Sequence, residues 1–348
     1  MFKGSHAESG FDHEASVSKD LSLLALSAVL TATVTLSARA DDSLKVVWGG
    51  GPASSSAYTS VYVPKVIEVL DSQHLSGYAW GGVSQGTVAN AEMVTDHPTH
   101  LAVGQLDIFG LIKDQPIPGR EGESYKFTIL KPDLGPECLY LVTKDKNYKT
   151  FGDVVGNAWQ LSVTTSGEKS GSFGTWKVLQ GIYPDLKPVP VLHTNSIGDI
   201  IEVVKQKADT VGFFVMRPDP ESDVFRSIAD SGLTIVPVVD FDLEDKYKFM
   251  TLKVAHGWSG GREVQTACTT VALITGDPGS AKLADDIQKR RLAETVKRLG
   301  SVDQKSFQPE ASSWRDMWDS LAEFSTDKAK SLMEESKKAL ADLKKQHG

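Results

Sequence analysis

The chain has 348 residues, a length that suits two α/β domains better than one. Its 37 basic and 45 acidic residues are mixed along the sequence and give a formal net charge of −8. This pattern disfavours nucleic acid as a partner, because binding phosphates requires clustered Lys and Arg.

An apolar run near the N-terminus is typical of an export signal. Residues 21–36 carry no charge, and the A-x-A pattern of residues 38–40 follows. A membrane-spanning helix needs about 20 apolar residues, and this run is shorter. We therefore expect a signal peptide in residues 1–40, cleaved after Ala40, and a periplasmic protein. The alternative is a buried core helix. The acidic stretch before Val17 does not fit a signal and suggests a later natural start.

The first part of the mature chain alternates strands with helices. Strands are predicted at 44–48 and 77–80, and residues 100–109 are predicted as a third strand and its exit; helices at 61–70 and 87–94 lie between them. This βαβαβ order implies a parallel sheet with right-handed crossovers. Strand-like runs at 125–130 and 137–143 follow, separated by a Pro/Gly bend at 131–136.

A second alternating unit follows the bend. Its predicted elements are helix 151–155, strand 159–163, helix 175–179, strand 189–192, helix 197–207, strand 210–215, helix 222–230 and strand 234–239. The last elements are an irregular stretch at 241–261, strand 266–275, helix 279–298 and an amphipathic C-terminal helix over 314–346. The fold class is therefore α/β.

The two cysteines, Cys138 and Cys268, both lie in strand-like runs. An exported protein lives where disulfides persist, so the pair forms either one disulfide or two buried thiols. The sequence has no CxxC and no Cys/His cluster, so we expect no metal site, and no motif calls for a cofactor.

Three loops share one design, in which a strand ends, Gly and Ser or Thr follow, and a helix begins. They are residues 49–56, 81–87 and 166–175. Helix N-termini present free N–H groups and a partial positive charge, which bind carboxylates or phosphates. Each loop could simply cap its own helix. Three loops at the carboxyl ends of strands favour a ligand site.

One segment matches an enzyme motif. Residues 82–86 read G-x-S-x-G, the pattern around a hydrolase nucleophile, which would make Ser84 catalytic with Asp240 or Asp242 and His256. Only about forty mature residues precede Ser84, too few to build the sheet that such an enzyme needs. We therefore expect no enzyme, with a secreted serine esterase as the minor alternative.

Six segments in chain order resemble the TAXI-type solute receptors of TRAP transporters. They are the Gly-rich turn of 49–58, the Gly-Gly…Thr-Val-Ala-Asn segment of 81–90, Leu-Ala-Val-Gly-Gln-Leu-Asp at 101–107, Phe-Gly-Asp-Val-Val-Gly at 151–156, Ser-Gly-Ser-Phe at 170–173 and Ala-Asp-Thr-Val-Gly-Phe-Phe at 208–214. The first turn departs from the family pattern in having Pro52 and three serines, so the ligand can differ from the family's amino-acid-like and dicarboxylate ligands.

The resemblance implies a type II periplasmic-binding-protein architecture, two αβ lobes joined by a two-segment hinge. Lobe one would comprise residues 44–143 and 261–348, and lobe two residues 144–260. The strands holding the two cysteines would lie side by side and antiparallel. Such a protein would be a monomer that captures a small anionic or zwitterionic molecule, a carboxylate or an amino acid, for integral-membrane TRAP transporter subunits. A receptor of an ABC transporter for a sulfonate or a thiamine precursor is the runner-up, with the same fold.

The expected ligand site combines the three loops with nearby strand ends. Phe213 and Phe214 suit either a core or a wall against the ligand, and Arg217 suits either a surface ion pair or a carboxylate clamp. The expected residues are Ser54, Ser55, Ser56, Tyr58, Gln85, Thr87, Asn90, Gln105, Ser170, Gly171, Ser172, Phe173, Phe213, Phe214 and Arg217.

Overall fold

A computed structural model describes residues 45–51, 56–82, 84–254 and 262–309. The predicted signal segment, the C-terminal helix, Ser54, Ser55 and His256 lie outside these ranges. Among the described residues, no helix is both long and apolar enough to cross a membrane.

The described elements alternate as the sequence predicts. The strands are β1 Lys45–Trp48, β2 Gly77–Ala79, β3 Leu101–Gln105, β4 Phe127–Thr143, β5 Ser162–Ser166, β6 Val191–Thr194, β7 Thr210–Met216, β8 Thr234–Val236, β9 Lys248–Val254 and β10 Arg262–Gly276. The helices are α1 Val63–Ser72, α2 Thr87–Asp96, α3 Leu106–Ile112, α4 Phe151–Gly156, α5 Gly171–Ile182, α6 Ile197–Gln206, α7 Asp223–Asp230 and α8 Asp286–Ser301. A helical turn, Tyr58–Tyr62, precedes α1.

The strands form one sheet in the order β2-β1-β3-β10-β4-β7-β5-β6, with β8 added on β4 and β9 on β10. The neighbours of β1 and the neighbours of β5 run parallel to them, as expected for strands joined by crossover helices. The long strands β4 and β10 are antiparallel to each other and to the strands beside them. Two parallel groups are thus joined through one antiparallel pair.

Each parallel group has its own hydrophobic core. Val47, Val103, Leu134 and Val271 belong to the core under α1 and α8. Leu141, Trp176 and Phe213 belong to the core of the group around β5, which packs against α4 and α5. Burial of such side chains is the main stabilising contribution to each half. The molecule is therefore an α/β protein of two lobes with the type II architecture that the sequence predicts.

The long strands take part in both lobes. Along β4 the buried side chains change core between Leu134 and Cys138, and along β10 between Cys268 and Val271. Both strands are continuous here, so the lobe boundaries at 143/144 and 260/261 stay a prediction. At the changeover a disulfide joins Cys138 and Cys268, which decides between the two alternatives that the sequence left open. The expected antiparallel pairing of these strands is confirmed.

Helix α3, which follows β3 directly, was not predicted from the sequence. Two other local predictions are wrong. The Pro/Gly bend at 131–136 is part of the single 17-residue strand β4. Pro132 and Pro136 are tolerated because residues 127–137 pair only with β10, and an edge strand does not need every N–H. The stretch 241–261, predicted irregular, contains β9, whose alternating burial from Met250 to Val254 fits a strand paired on one side.

Candidate functional site

The first turns of α2 and α5 meet between the lobes. The backbone N–H of Val88 donates to the carbonyl oxygen of Lys169 over 3.2 Å. Gly86, just before α2, has φ of 120°, and a Cβ atom at this position would lie 3.0 Å from Cα of Ser170. The positive φ and the close approach of Ser170 both require glycine at position 86. The lobes are therefore in contact through two helix N-termini that come from different halves of the chain.

A buried polar centre lies beside the start of α2. The hydroxyl of Tyr58 donates to Oε2 of Glu137 over 2.7 Å and lies 3.3 Å from Oγ1 of Thr87. The backbone N–H of Gln105 donates to the same Thr87 oxygen over 3.3 Å. All four residues are buried. The sequence placed Tyr58, Thr87 and Gln105 in the site and missed Glu137.

The carboxyl group of Glu137 has an unusual environment. Burial raises its pKa to about 8, and the nearby carboxyl of Asp107 adds to the rise. Hydrogen bonds from Tyr58 and Gln105 oppose this shift without cancelling it. The carboxyl therefore holds its proton far above the pH at which an exposed glutamate loses it.

Gln105 and Gly171 link this centre to α5. Gly171 packs directly against the side-chain amide of Gln105, and a Cβ atom at this position would force that amide to move. Oε1 of Gln105 is buried and accepts no hydrogen bond from the residues that the structure describes. A buried acceptor without a donor costs about 1–3 kcal/mol. A ligand with a donor group would offset that cost.

A second carboxyl group bridges the lobes. Thr175 and Tyr247, both from lobe two, each donate over 2.9 Å to Oδ2 of Asp107 on α3. Burial raises the pKa of Asp107, and these hydrogen bonds lower it. Its other oxygen, Oδ1, is enclosed without a partner among the described residues. Asp107 closes the 101–107 motif and Thr175 the 166–175 loop, but neither was predicted as a site residue, and Tyr247 lies in no motif.

Asn90 holds the loops together. Its side-chain N–H groups donate to the carbonyl oxygens of Gly49 and, over 2.7 Å, Val103. Its amide oxygen accepts from the hydroxyl of Ser84 over 2.5 Å. Because all its hydrogen-bonding groups are engaged within lobe one, Asn90 positions the site.

The contacts of Ser84 bear on the hydrolase motif. A catalytic serine gives its proton to a base, usually a histidine. Within the described ranges the Ser84 hydroxyl donates to the Asn90 amide and accepts from the N–H of Gly86. Asp240 instead accepts from the N–H of Asp242 to cap a helical turn. These contacts fix the loop before α2, and His256, the predicted base, lies outside the described residues.

The other predicted residues divide into three groups. Ser170 caps α5, and Ser172 accepts from the N–H of Val215, so both position the loop beside Gly171. Phe173 is partly buried against the ring of His193. No described contact joins the other four to the polar centre: Ser56 is partly buried, Gln85 is exposed, and Phe213 and Phe214 are fully buried in separate hydrophobic clusters.

Arg217 follows β7 next to the polar centre. Met216 pairs with Cys138, the residue after Glu137, so Arg217 leaves the sheet at the level of the site. Its charge counteracts the rise in the pKa of Tyr62 that burial and Glu137 produce. The carboxylate clamp remains a prediction.

One ion pair joins the lobes beside the helix starts. Nζ of Lys169 lies 2.5 Å from a carboxylate oxygen of Glu92 on α2. Glu92 also lies 3.8 Å from Arg120, which pairs with Asp96 at 2.8 Å. The carboxylate of Glu92 therefore lies near cations from both lobes.

No family model matches the chain, and no curated protein matches it. Several solved structures are similar. MatC from Rhodopseudomonas palustris with bound malate is 11% identical, covers 85% of this chain and 98% of its own, and gives a TM-score of 0.41. A double mutant of the BvgS VFT2 domain from Bordetella pertussis is 12% identical, covers 79% and 94%, and gives 0.40. An ABC-type phosphate transport receptor from Vibrio cholerae is 14% identical, covers 76% and 96%, and gives 0.33. Such low values assign neither a family nor a ligand to this chain.

Proposed function

We propose that the protein is an extracytoplasmic receptor that captures a small anionic or zwitterionic solute, a carboxylate or an amino acid. The observation that carries this proposal is the meeting of α2 and α5 over the buried polar centre of Tyr58, Thr87 and Glu137. The partial positive charge at the starts of the two helices favours an anionic group, and the buried hydroxyl groups of Tyr58 and Thr87 add directional hydrogen bonds.

The binding energy would come from contacts that the ligand makes with both lobes in the closed form. A ligand held between α2 and α5 contacts both lobes only when they are closed, so it shifts the population toward the closed form. The crossing strands β4 and β10 would act as the hinge, because they are the main-chain segments shared by both cores. No bond in the ligand needs to break.

The proposal extends to the setting of the protein. An exported receptor, processed after Ala40, would deliver its ligand as a monomer to the membrane subunits of a TRAP-type transporter. The order of the six motifs supports this transporter class, and the apolar run at 21–36 supports export.

The test is a thermal-shift screen of the purified protein with amino acids, small carboxylates and sulfonates. A ligand of the folded state stabilises it by about 2.7 kcal/mol at a concentration of 100 Kd. We expect at least one compound to raise the Tm. Thr87→Val, which removes the hydroxyl between Tyr58 and Gln105, should weaken binding of that compound at least tenfold.

Thr295→Val is the matched control, since Thr295 is equally buried but bonds within α8. It should leave the affinity unchanged. A screen in which no compound raises the Tm, or a Thr87→Val variant that binds as tightly as the control, would overturn the proposal. Hydrolysis of simple esters that is lost in Ser84→Ala would replace it with the esterase.

A further inference from the structure

Glu137 is a buried acid whose hydrogen-bond donors among the described residues are neutral. Only 5% of its surface is exposed, and its hydrogen-bond donors, Tyr58 and Gln105, are both neutral. The groups of the described residues that shift the pKa of Glu137 are Tyr58, Gln105 and Asp107, and none of them carries a positive charge. An ionised carboxylate is costly to bury unless a positive charge accompanies it.

The described groups that act on Glu137 bring no positive charge to it, and β10 places the neutral residue Thr269 opposite it in the sheet. The turn before α1 supplies the hydroxyl of Tyr58, β3 supplies the amide of Gln105, and α3 supplies the carboxyl of Asp107. Arg217, beyond β7, acts on the neighbouring Tyr62. The polar centre is therefore short of positive charge and rich in acceptors.

Two further acceptors in this centre have no donor among the described residues. They are Oε1 of Gln105, whose residue is only 1% exposed, and Oδ1 of Asp107. Both groups act on Glu137, Gln105 by a hydrogen bond and Asp107 by its charge. A protonated primary amine has three N–H donors and one positive charge. It would supply a donor to each unpartnered oxygen and a counter-charge to the carboxylates.

We propose that Glu137 is the residue that determines specificity for a ligand with a protonated amino group. The inference rests on the proposed function. The amino group exchanges with the proton on Glu137 and donates to Gln105 and Asp107, while an anionic group of the same ligand lies at the starts of α2 and α5. The site then selects a zwitterion over a 2-hydroxy acid of the same skeleton, because a hydroxyl brings no charge to Glu137.

The experiment compares matched ligand pairs by isothermal titration calorimetry. The pairs are L-alanine and L-lactate, L-glutamate and L-2-hydroxyglutarate, and L-phenylalanine and L-phenyllactate, which share a skeleton and differ in the amino group. They are titrated into the wild type, Glu137→Gln and Glu202→Gln, at pH 6 and pH 8. Glu202 is an exposed residue of α6 and serves as the control.

We expect the amino member of at least one pair to bind the wild type at least tenfold more tightly than its hydroxy partner. Glu137→Gln should reduce that preference to less than threefold, and Glu202→Gln should keep it. The preference should also grow from pH 6 to pH 8, because Glu137 gives up its proton more easily at the higher pH. A merely structural glutamate would not produce these changes.

Two results overturn the inference and differ in what they mean for the receptor. Equal or tighter binding of the hydroxy acids, or a preference that Glu137→Gln leaves intact, removes the role of Glu137 and leaves the receptor function standing. Absence of binding by any of these compounds, together with a negative thermal-shift screen, removes both.

Discussion

The side-chain amide of Asn90 forms hydrogen bonds with three separate segments of lobe one. It donates to the backbone after β1 and within β3, and it accepts from Ser84. Truncation leaves buried carbonyl oxygens without donors, at about 1–3 kcal/mol for each. We predict that Asn90→Ala lowers the free energy of unfolding by about 2–4 kcal/mol in urea titrations.

The control for this prediction is Asn147→Ala, at an exposed position with no side-chain hydrogen bond among the described residues. Its effect should stay within about 0.5 kcal/mol. If Asn90→Ala matched this control in stability and lost only ligand affinity, Asn90 would be a ligand residue, as the sequence predicted.

Glu137 makes the stability of the fold depend on pH. Its pKa is 4.5 in a model peptide and about 8 in the folded protein. Between these values the unfolded chain has lost the proton and the folded chain keeps it, so the folded state binds more protons. We predict that the free energy of unfolding falls as the pH rises from 4.5 to 8 and then levels off.

Glu137→Gln should remove most of this slope, because the amide does not titrate. Urea unfolding at pH 5, 7 and 8.5 should show the variant gaining stability relative to the wild type across the series. A smaller slope should persist, because the raised pKa of Asp107 acts in the same direction. Parallel curves for the two proteins would show that Glu137 is ionised in the fold.

The site residues that could be predicted belong to a local sequence pattern, and the residue that was missed does not. Thr87 and Ser170 follow the pattern of a strand end, Gly and a helix start, so their meeting could be expected. In the sequence Glu137 begins the apolar run 137–143, which suggests an exposed strand end, whereas in the structure it lies within β4. Its burial depends on β10 and Tyr58, which are distant in sequence, and no local pattern records that.

At the scale of elements, the contact between α2 and α5 includes one ion pair that salt can weaken. Lys169 is 44% exposed and Glu92 10%, so the pair stabilises the closed form by about 0.5–1 kcal/mol. We predict that Lys169→Met raises the Kd of the compound found in the screen about two- to fivefold at low salt. At 1 M salt the difference from the wild type should disappear.

Lys146→Met is the matched control, since Lys146 is exposed and forms no ion pair among the described residues. It should bind like the wild type at every salt concentration. If Lys169→Met were equally tight at low salt, the backbone bond between Val88 and Lys169 would be sufficient for closure.

Most of the elements could be predicted from the alternation of strand and helix patterns, and the exceptions have a common cause. The bend was expected at 131–136 because Pro and Gly favour turns, but pairing with β10 keeps this segment extended. The missed strand β9 is added to the first half of β10. Both depend on a strand that enters the sheet more than 100 residues after β4, beyond any local window.

At the scale of the whole molecule, the disulfide closes a loop around lobe two. Cys138 and Cys268 are 130 residues apart in sequence, and both are buried where the crossing strands change core. In the entropic account a loop of this length stabilises the fold by about 4–5 kcal/mol, because it restricts the unfolded chain. We predict that the Cys138→Ser/Cys268→Ser double variant loses about 4 kcal/mol of unfolding free energy.

Reductant should separate this effect from a packing defect. The sulfur atoms are buried, so reduction requires unfolding, and the titrations should be equilibrated through the transition with and without a phosphine reductant. The reductant should lower the stability of the wild type to nearly that of the double variant and leave the variant unchanged. The pairing of β4 with β10 on both sides of the bridge should keep the reduced protein folded at low urea. Two titratable thiols in denatured, unreduced wild type would show that the bridge does not form, and the loop would then contribute nothing to stability.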